Sequence, residues 1–167
     1  MTEHTLIVRV EDKPGVLNRV ASLFRRRGYN IDSLTVGHTA EPGVSRMTVV
    51  VTADDDTVKR LEANLYKLIN VLHVENLRGQ WAVVRDLALF KVKADADRRA
   101  QILQLCDVFR ARVVDVGAEN LIVEITGAPD KIDGLEKVLE PFGILEMVRT
   151  GAVAMTRGAE LRLVQAA

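Results

Sequence analysis

The six residues "DKPGVL", Asp12 to Leu17, hold more potential chemistry for their length than any other stretch of the chain. An acid, a Pro-Gly pair and the apolar start of a helical pattern follow directly on a strand-like run. Read as a turn, Asp12 caps the helix, Pro14 supplies the fixed φ of a first turn, and Gly15 lets strand and helix pack closely. Read as a site, the same residues describe an anion receptor. A helix N-terminus presents unpaired N–H groups and partial positive charge, which suits a carboxylate, and Gly15 removes the side chain that would block its approach. Asp12, and Asn30 at the expected start of the strand after the helix, are acceptors for an α-amino group. Asp12 would repel a phosphate, so the zwitterion of an amino acid is the better match. The glycine and the N–H groups serve both readings.

Other residues with chemical potential are less organised. His4, His38 and His73 are each isolated, with no Cys, Asp or Glu at metal-ligand spacing. Cys106 lies on an apolar helical face beside Leu105 and Phe109, the setting of an inert buried thiol. Arg25, Arg26 and Arg27 end the first helix, where they complement its dipole, and the same run could meet an acidic partner surface. Ser45 and Arg46 open a strand, and Trp81 falls in an expected linker. No Ser/His/Asp or Cys/His set stands in motif context and no phosphate loop is present, which points away from an enzyme.

The bulk composition narrows the class. With 167 residues the chain suits one ordinary domain or two small ones, and nearly half of it is hydrophobic. Lys plus Arg and Asp plus Glu number 23 each, so no net basic field attracts nucleic acid. The low aromatic content disfavours base stacking. No run approaches the roughly twenty apolar residues of a membrane span, and "MTEHTLIVRV" reads as a strand rather than a signal peptide. A single cysteine cannot form an internal disulfide. The expectation is a soluble, cytoplasmic protein.

The elements that must position the turn come in a repeated rhythm. "HTLIVRVE" is a strand candidate. Val16, Leu17, Val20, Ala21, Leu23 and Phe24 mark one face of a helix that Gly28 stops. "YNIDSLTVGHT" and "VSRMTVVVTA" read as strands across the turn "AEPG". Asp54 to Asp56 offer N-cap chemistry for a helix carrying Val58, Leu61, Leu65 and Leu68, and "VLHVENL" is a fourth strand. After "RGQWAVVRD" the rhythm resumes. "LALFKVKA" is a strand, and Ile102, Leu105, Cys106 and Phe109 mark a helix. "RVVDVG" and "NLIVEITG" form a hairpin, Pro129 starts a helix with Ile132, Leu135, Val138 and Leu139, and "GILEMVRTG" closes the unit. The fold class is α+β, two ferredoxin-like βαββαβ domains. The expected boundaries are a first domain at 4–78, a linker at 79–86, a second domain at 87–160 and a tail at 161–167. Such a sheet has an open face and exposed edges, so a homodimer is expected. The second repeat, with "KADADRRAQIL" after its first strand, has no Pro-Gly turn and therefore no second copy of the site.

The stretch "VRVEDKPGVLNRVASLFRRRGYNIDSLTVGHT", followed by "SRMTVVV", resembles the N-terminal ACT domain of the small regulatory subunits of acetolactate synthase (acetohydroxyacid synthase). "RRGYNIDSLTVG" and "SRMT" are more specific than the general ACT pattern. "LFKV", "FRARVVDV" and "GILEMVRTGAVAMTRG" resemble the family's second domain, so the likeness spans about residues 4 to 160. It implies a non-catalytic subunit that binds and activates the catalytic large subunit and confers feedback inhibition by valine, a branched-chain amino acid. Thiamine diphosphate, Mg2+ and FAD are then expected in the large subunit and no cofactor or metal in this chain. It also implies side-by-side ACT pairing into an eight-stranded sheet. Asp12, Gly15, Val16 and Leu17 of one protomer would form one wall of the effector site, Asn30 and Ile31 of the other the second wall. Some members carry Asn at the position of Asp12. The alternative is a free-standing ACT-type amino-acid-sensing module without a catalytic partner.

Overall fold

The computed structural model describes residues 1–158; the tail assigned to 161–167 and the last two residues of the second expected domain lie outside them. The described chain divides into two compact units. One is Met1–Val83 with the described residues from Ala152 on, the other Val84–Gly151.

The first unit is built on β1 (Thr2–Glu11), α1 (Val16–Arg27), β2 (Ser33–His38), β3 (Val44–Ala53), α2 (Asp55–Leu65) and β4 (Val71–Asn76). The strands are antiparallel in the order β2-β3-β1-β4. Strand alternation sends Leu6, Val8 and Val10 of β1 and Met47, Val49 and Val51 of β3 to one face, where they meet Val20 and Phe24 of α1 and Leu61 and Leu65 of α2. Burying a side chain the size of Phe24 stabilises by roughly 2–3 kcal/mol. Helix α1 stops where Gly28 takes φ +69°, which puts its N–H on the carbonyl of Arg25. Helix α2 starts where Asp54 accepts the Thr57 N–H at 2.8 Å.

Four details differ from the sequence reading. Strand β2 begins at Ser33 rather than Tyr29, so Asn30 lies in the segment before it. Leu17 is 44% exposed, because the buried stripe of α1 is narrower than the run of apolar residues. Leu68 falls beyond the end of α2. The stretch expected as a linker is mostly strand: β5 runs Ala82–Lys93, and the turn before it closes through the Gln80 N–H on Leu77 O at 3.0 Å.

The face of this sheet turned away from the helices is not bare. Ile7, Thr48 and Val50 lie there and are buried. The described residues from Ala152 on lie against it and include a short strand, β9 (Val153–Thr156), that the sequence reading missed. The Ala152 N–H donates to Ser33 Oγ at 3.0 Å, and the Arg46 guanidinium donates to the Ala154 carbonyl at 2.5 Å. Arg46 stands directly opposite Arg9 in the register. Burial lowers its pKa, Glu75 offsets part of that, and Arg9 adds to it. Its reach to a carbonyl and the Arg9–Glu41 ion pair relieve a like-charge pair that would otherwise weaken the sheet.

The second unit repeats the topology with β5, α3 (Ala96–Phe109), β6 (Arg112–Val116), β7 (Asn120–Gly127), α4 (Pro129–Leu139) and β8 (Ile144–Arg149). Its order, β6-β7-β5-β8, matches that of the first sheet. The hairpin between β6 and β7 closes as expected, the Gly117 N–H donating to Asn120 O at 2.8 Å. Phe90, Ile102 and Ile132 centre its core. Cys106 is buried among them, and burial pushes its thiol up, which suits an inert side chain.

The two edges of the first sheet differ. On β4 the Val74 N–H donates to the Tyr66 hydroxyl at 3.0 Å, and that hydroxyl donates to the Val74 carbonyl at 3.0 Å. One side chain thus occupies a donor and an acceptor that an added strand would need. Strand β2, the other edge, presents Val36 at 42% exposure. Tyr66→Phe should lower unfolding free energy by about 1 kcal/mol in urea titration and speed hydrogen exchange at the Val74 amide. Unchanged exchange there would remove the plug.

Candidate functional site

At the end of β1 the chain is held on both flanks. The Glu11 N–H donates to Asn70 O at 2.9 Å and the Asp12 N–H to Gly43 O at 2.8 Å. The Lys13 N–H then donates to Glu11 O at 3.0 Å, and Gly15 takes φ +83° as the residue that opens α1. That left-handed conformation favours glycine, and a Cβ built there meets nothing within 4 Å.

Asp12 does not cap the helix. No side chain accepts from the α1 amides and no acid lies in its first turn. The Asp12 carboxylate instead lies 3.3 Å from His38 Nδ1 at the end of β2. The Val16 N–H reaches the Lys13 carbonyl at 3.3 Å. The amides of Gly15, Leu17 and Asn18 have no acceptor among the described residues, as the geometry of a helix start requires unless a cap or ligand supplies one. The result is an uncapped N-terminus with open space at Gly15, half-exposed Leu17 and a carboxylate, Asp12, three residues before that glycine. Such an arrangement can take a carboxylate at its free amides, and Asp12 can take a cation.

The other residues of the expected site are elsewhere in the chain. Val16 is buried in the core, so its side chain is spent there and only its backbone faces outward. Ile31 packs partly against the same core. Asn30 is exposed, its Nδ2 donating to Asp32 Oδ1 at 2.7 Å. The register sets the separation. Glu11 stands opposite Val44, and Ser33 opposite Val50. The stretch of β3 from Val44 to Val50, about 20 Å at the rise of an extended strand, therefore lies between the Pro-Gly turn and the start of β2. Within one chain, Asp12 and Gly15 do not share a pocket with Asn30.

Residues that the sequence reading left out support the turn. Asn70, buried, donates to Glu11 Oε2 at 2.6 Å and accepts from the Arg19 guanidinium. Lys13 lies 3.0 Å from the same Glu11 oxygen. His38 looks isolated in sequence because its partner, Asp12, precedes the whole of α1, and only the β2–β3 register brings the two together. Among the described residues, no three His, Cys, Asp or Glu side chains group as metal ligands.

Comparison with known proteins matches both units. The model for an AHAS small subunit-like ACT domain covers residues 6–73, and that for the small subunit of acetolactate synthase covers 85–158. The acetolactate synthase small subunit of Mycolicibacterium smegmatis is 51% identical over 155 residues, 93% of this chain and 91% of that one. A probable acetolactate synthase small subunit of Archaeoglobus fulgidus is 47% identical over 156 residues, 93% and 98% of the two chains. The crystal structure of the acetolactate synthase small subunit from Thermotoga maritima superimposes with a TM-score of 0.87 at 41% identity, over 96% of this chain and 100% of that one.

Hydrogen bonds from Lys13 and then Asn70 hold the Glu11 carboxyl below its usual range. A carboxyl depressed by folding stabilises above its ordinary pKa, and that contribution is lost as pH falls through the lower folded value. In Asn70→Ala the Glu11 titration, followed by NMR, should move up toward the ordinary carboxylate value. The stability advantage of the parent chain should shrink on acidification below that range. A Glu11 titration unmoved by the substitution would remove Asn70 from the clamp.

Proposed function

The chain belongs to the family of small, regulatory subunits of acetolactate synthase and carries its ACT domain, and from that premise we propose that it binds and activates the catalytic large subunit and confers feedback inhibition by valine. The observation that carries the effector part of this reading is the uncapped start of α1, with Gly15 at φ +83° and open space in front of it. Valine's carboxylate takes the amides there, its ammonium takes Asp12, and Leu17 meets the branched side chain.

A second copy supplies the missing wall. Two β2 edges paired antiparallel about the middle of the strand bring Ser33 of each opposite His38 of the other. The segment holding the partner's Asn30 and the partner's Ile31 then runs on toward Asp12, which His38 contacts. The open edge at β2 and the plugged edge at β4 support this arrangement and the eight-stranded sheet it makes. The subunit itself is non-catalytic in this reading, and thiamine diphosphate, Mg2+ and FAD belong to its partner. No described helix is long and apolar enough to cross a membrane, and the proposed location is the cytoplasm. Coupling runs both ways: if valine weakens the active complex, the catalytic partner weakens valine binding by the same factor.

The test adds the purified chain to the catalytic subunit and assays acetolactate formation with and without valine. Stimulation that valine reverses is expected. Gly15→Asp puts a carboxylate where the ligand's belongs, on a residue type that tolerates the left-handed region. It should stimulate within about twofold of the parent while needing more than about tenfold more valine, since one lost charge-assisted contact is worth roughly 1.5–3 kcal/mol. Gly15→Asn keeps the shape without the charge and should fall between. Unchanged valine response in Gly15→Asp would eliminate the site, and no stimulation by the parent chain would eliminate the function.

A further inference from the structure

Between the C-terminal half of α1 and the end of α2 lies a groove of about 380 Å³, lined by Leu23, Arg26, Arg27, Asn64, Lys67 and Leu68. Leu23 and Leu68 supply its apolar surface, and three cations surround it. The Arg26 Nε donates to Ser22 O at 3.3 Å and the Arg27 guanidinium to Asn64 Oδ1 at 3.3 Å. No carboxylate lies within ion-pair distance of Arg25, Arg26, Arg27 or Lys67 among the described residues. Arg9, Lys13, Arg78, Lys91, Arg98 and Arg112 each have one and Arg149 has two. The chain as a whole is neutral, so this is a local concentration of unneutralised positive charge. The next residue after Leu68, Ile69, is 92% exposed.

Complementing the helix dipoles accounts for cations at the ends of α1 and α2, but not for the apolar surface that Leu23 and Leu68 place among them. Small-molecule pockets are mostly apolar and enclose their ligand; here half the lining is exposed cationic side chain. The arrangement fits a protein segment that brings carboxylates to the three cations and an apolar side chain to the Leu23–Leu68 surface. We infer that the α1–α2 groove docks an acidic segment of the catalytic large subunit. The inference rests on the proposed function, which supplies that partner. Its position also gives a route for coupling. The N-terminus of α1 is the effector site and its C-terminus is the wall of the groove, so two ligands bear on the opposite ends of one rigid element.

The test titrates the full chain into the catalytic subunit and reads the concentration for half-maximal stimulation. The double variant Arg26→Gln/Arg27→Gln and, separately, Lys67→Glu on the other wall should each raise it about tenfold or more. Maximal stimulation at saturation and valine binding to the isolated chain, measured by calorimetry, should stay within about twofold. Added salt should weaken the parent complex more than either variant, since the pairs are screened. Arg85→Glu, at an exposed cation outside the groove, should change nothing. Variants that act like the parent, or an equal loss in Arg85→Glu, overturn the docking site. If the parent chain stimulates and the variants do too, this inference alone is lost. If the parent chain does not stimulate, the proposed function falls and the groove loses its partner with it.

Discussion

The long antiparallel pairing of β1 with β3 is the constraint on which the first unit depends. It brings Glu11 opposite Val44, and so places the Pro-Gly turn against the β2–β3 turn, where the Gly43 carbonyl takes the Asp12 N–H. It carries β2 on one side and β4 on the other, and sends one alternating set of side chains to the helices. A slip of one residue would turn every core valine outward and separate Asp12 from His38. The site owes its shape to a ladder of backbone bonds, with few side-chain interactions of its own.

Comparing the two units separates fold from function. Both have the same strand order and the same placement of helices. In the second, α3 begins at Asp95, whose carboxylate accepts the Arg98 N–H at 2.9 Å, with Asp97 in the first turn. That helix start is filled and negative. In the first, α1 begins at a glycine, with no side chain to accept its amides and no acid in its first turn. The same architecture thus holds one helix N-terminus fit for an anion and one that repels it, and a few residues between strand and helix make the difference.

Most of the elements are legible in residue order, because apolar periods of two and of three to four residues follow from burying one face. Gly28, Asp54 and Pro129 act locally and mark their boundaries directly. What was not legible depends on distant pairing. Strand β9 is very short, with a single buried alanine, too little to show a period. His38 and Asn70 join the turn only through register. Val16 and Leu17 read alike as apolar helix residues, yet about 100° of rotation separates them, so one is core and the other is surface. The Pro-Gly turn and the helix start that follows it were legible in residue order. The expectation that a second chain completes a site there rested on resemblance. The length of β3 that separates Asp12 and Gly15 from Asn30 is why the residues expected to share a site do not meet within one chain.

The plug that Tyr66 makes on β4 bears on how the protein grows. A sheet with two open edges can add copies head to tail without end, as fibres do. A sheet with one sealed edge has a single place to join, and a copy that joins there brings the same single place to meet it. In the proposed pairing growth would stop at the first addition, with the β4 edges outermost. One hydroxyl, by occupying one N–H and one C=O of β4, would then separate an object of fixed size from a potentially endless ribbon.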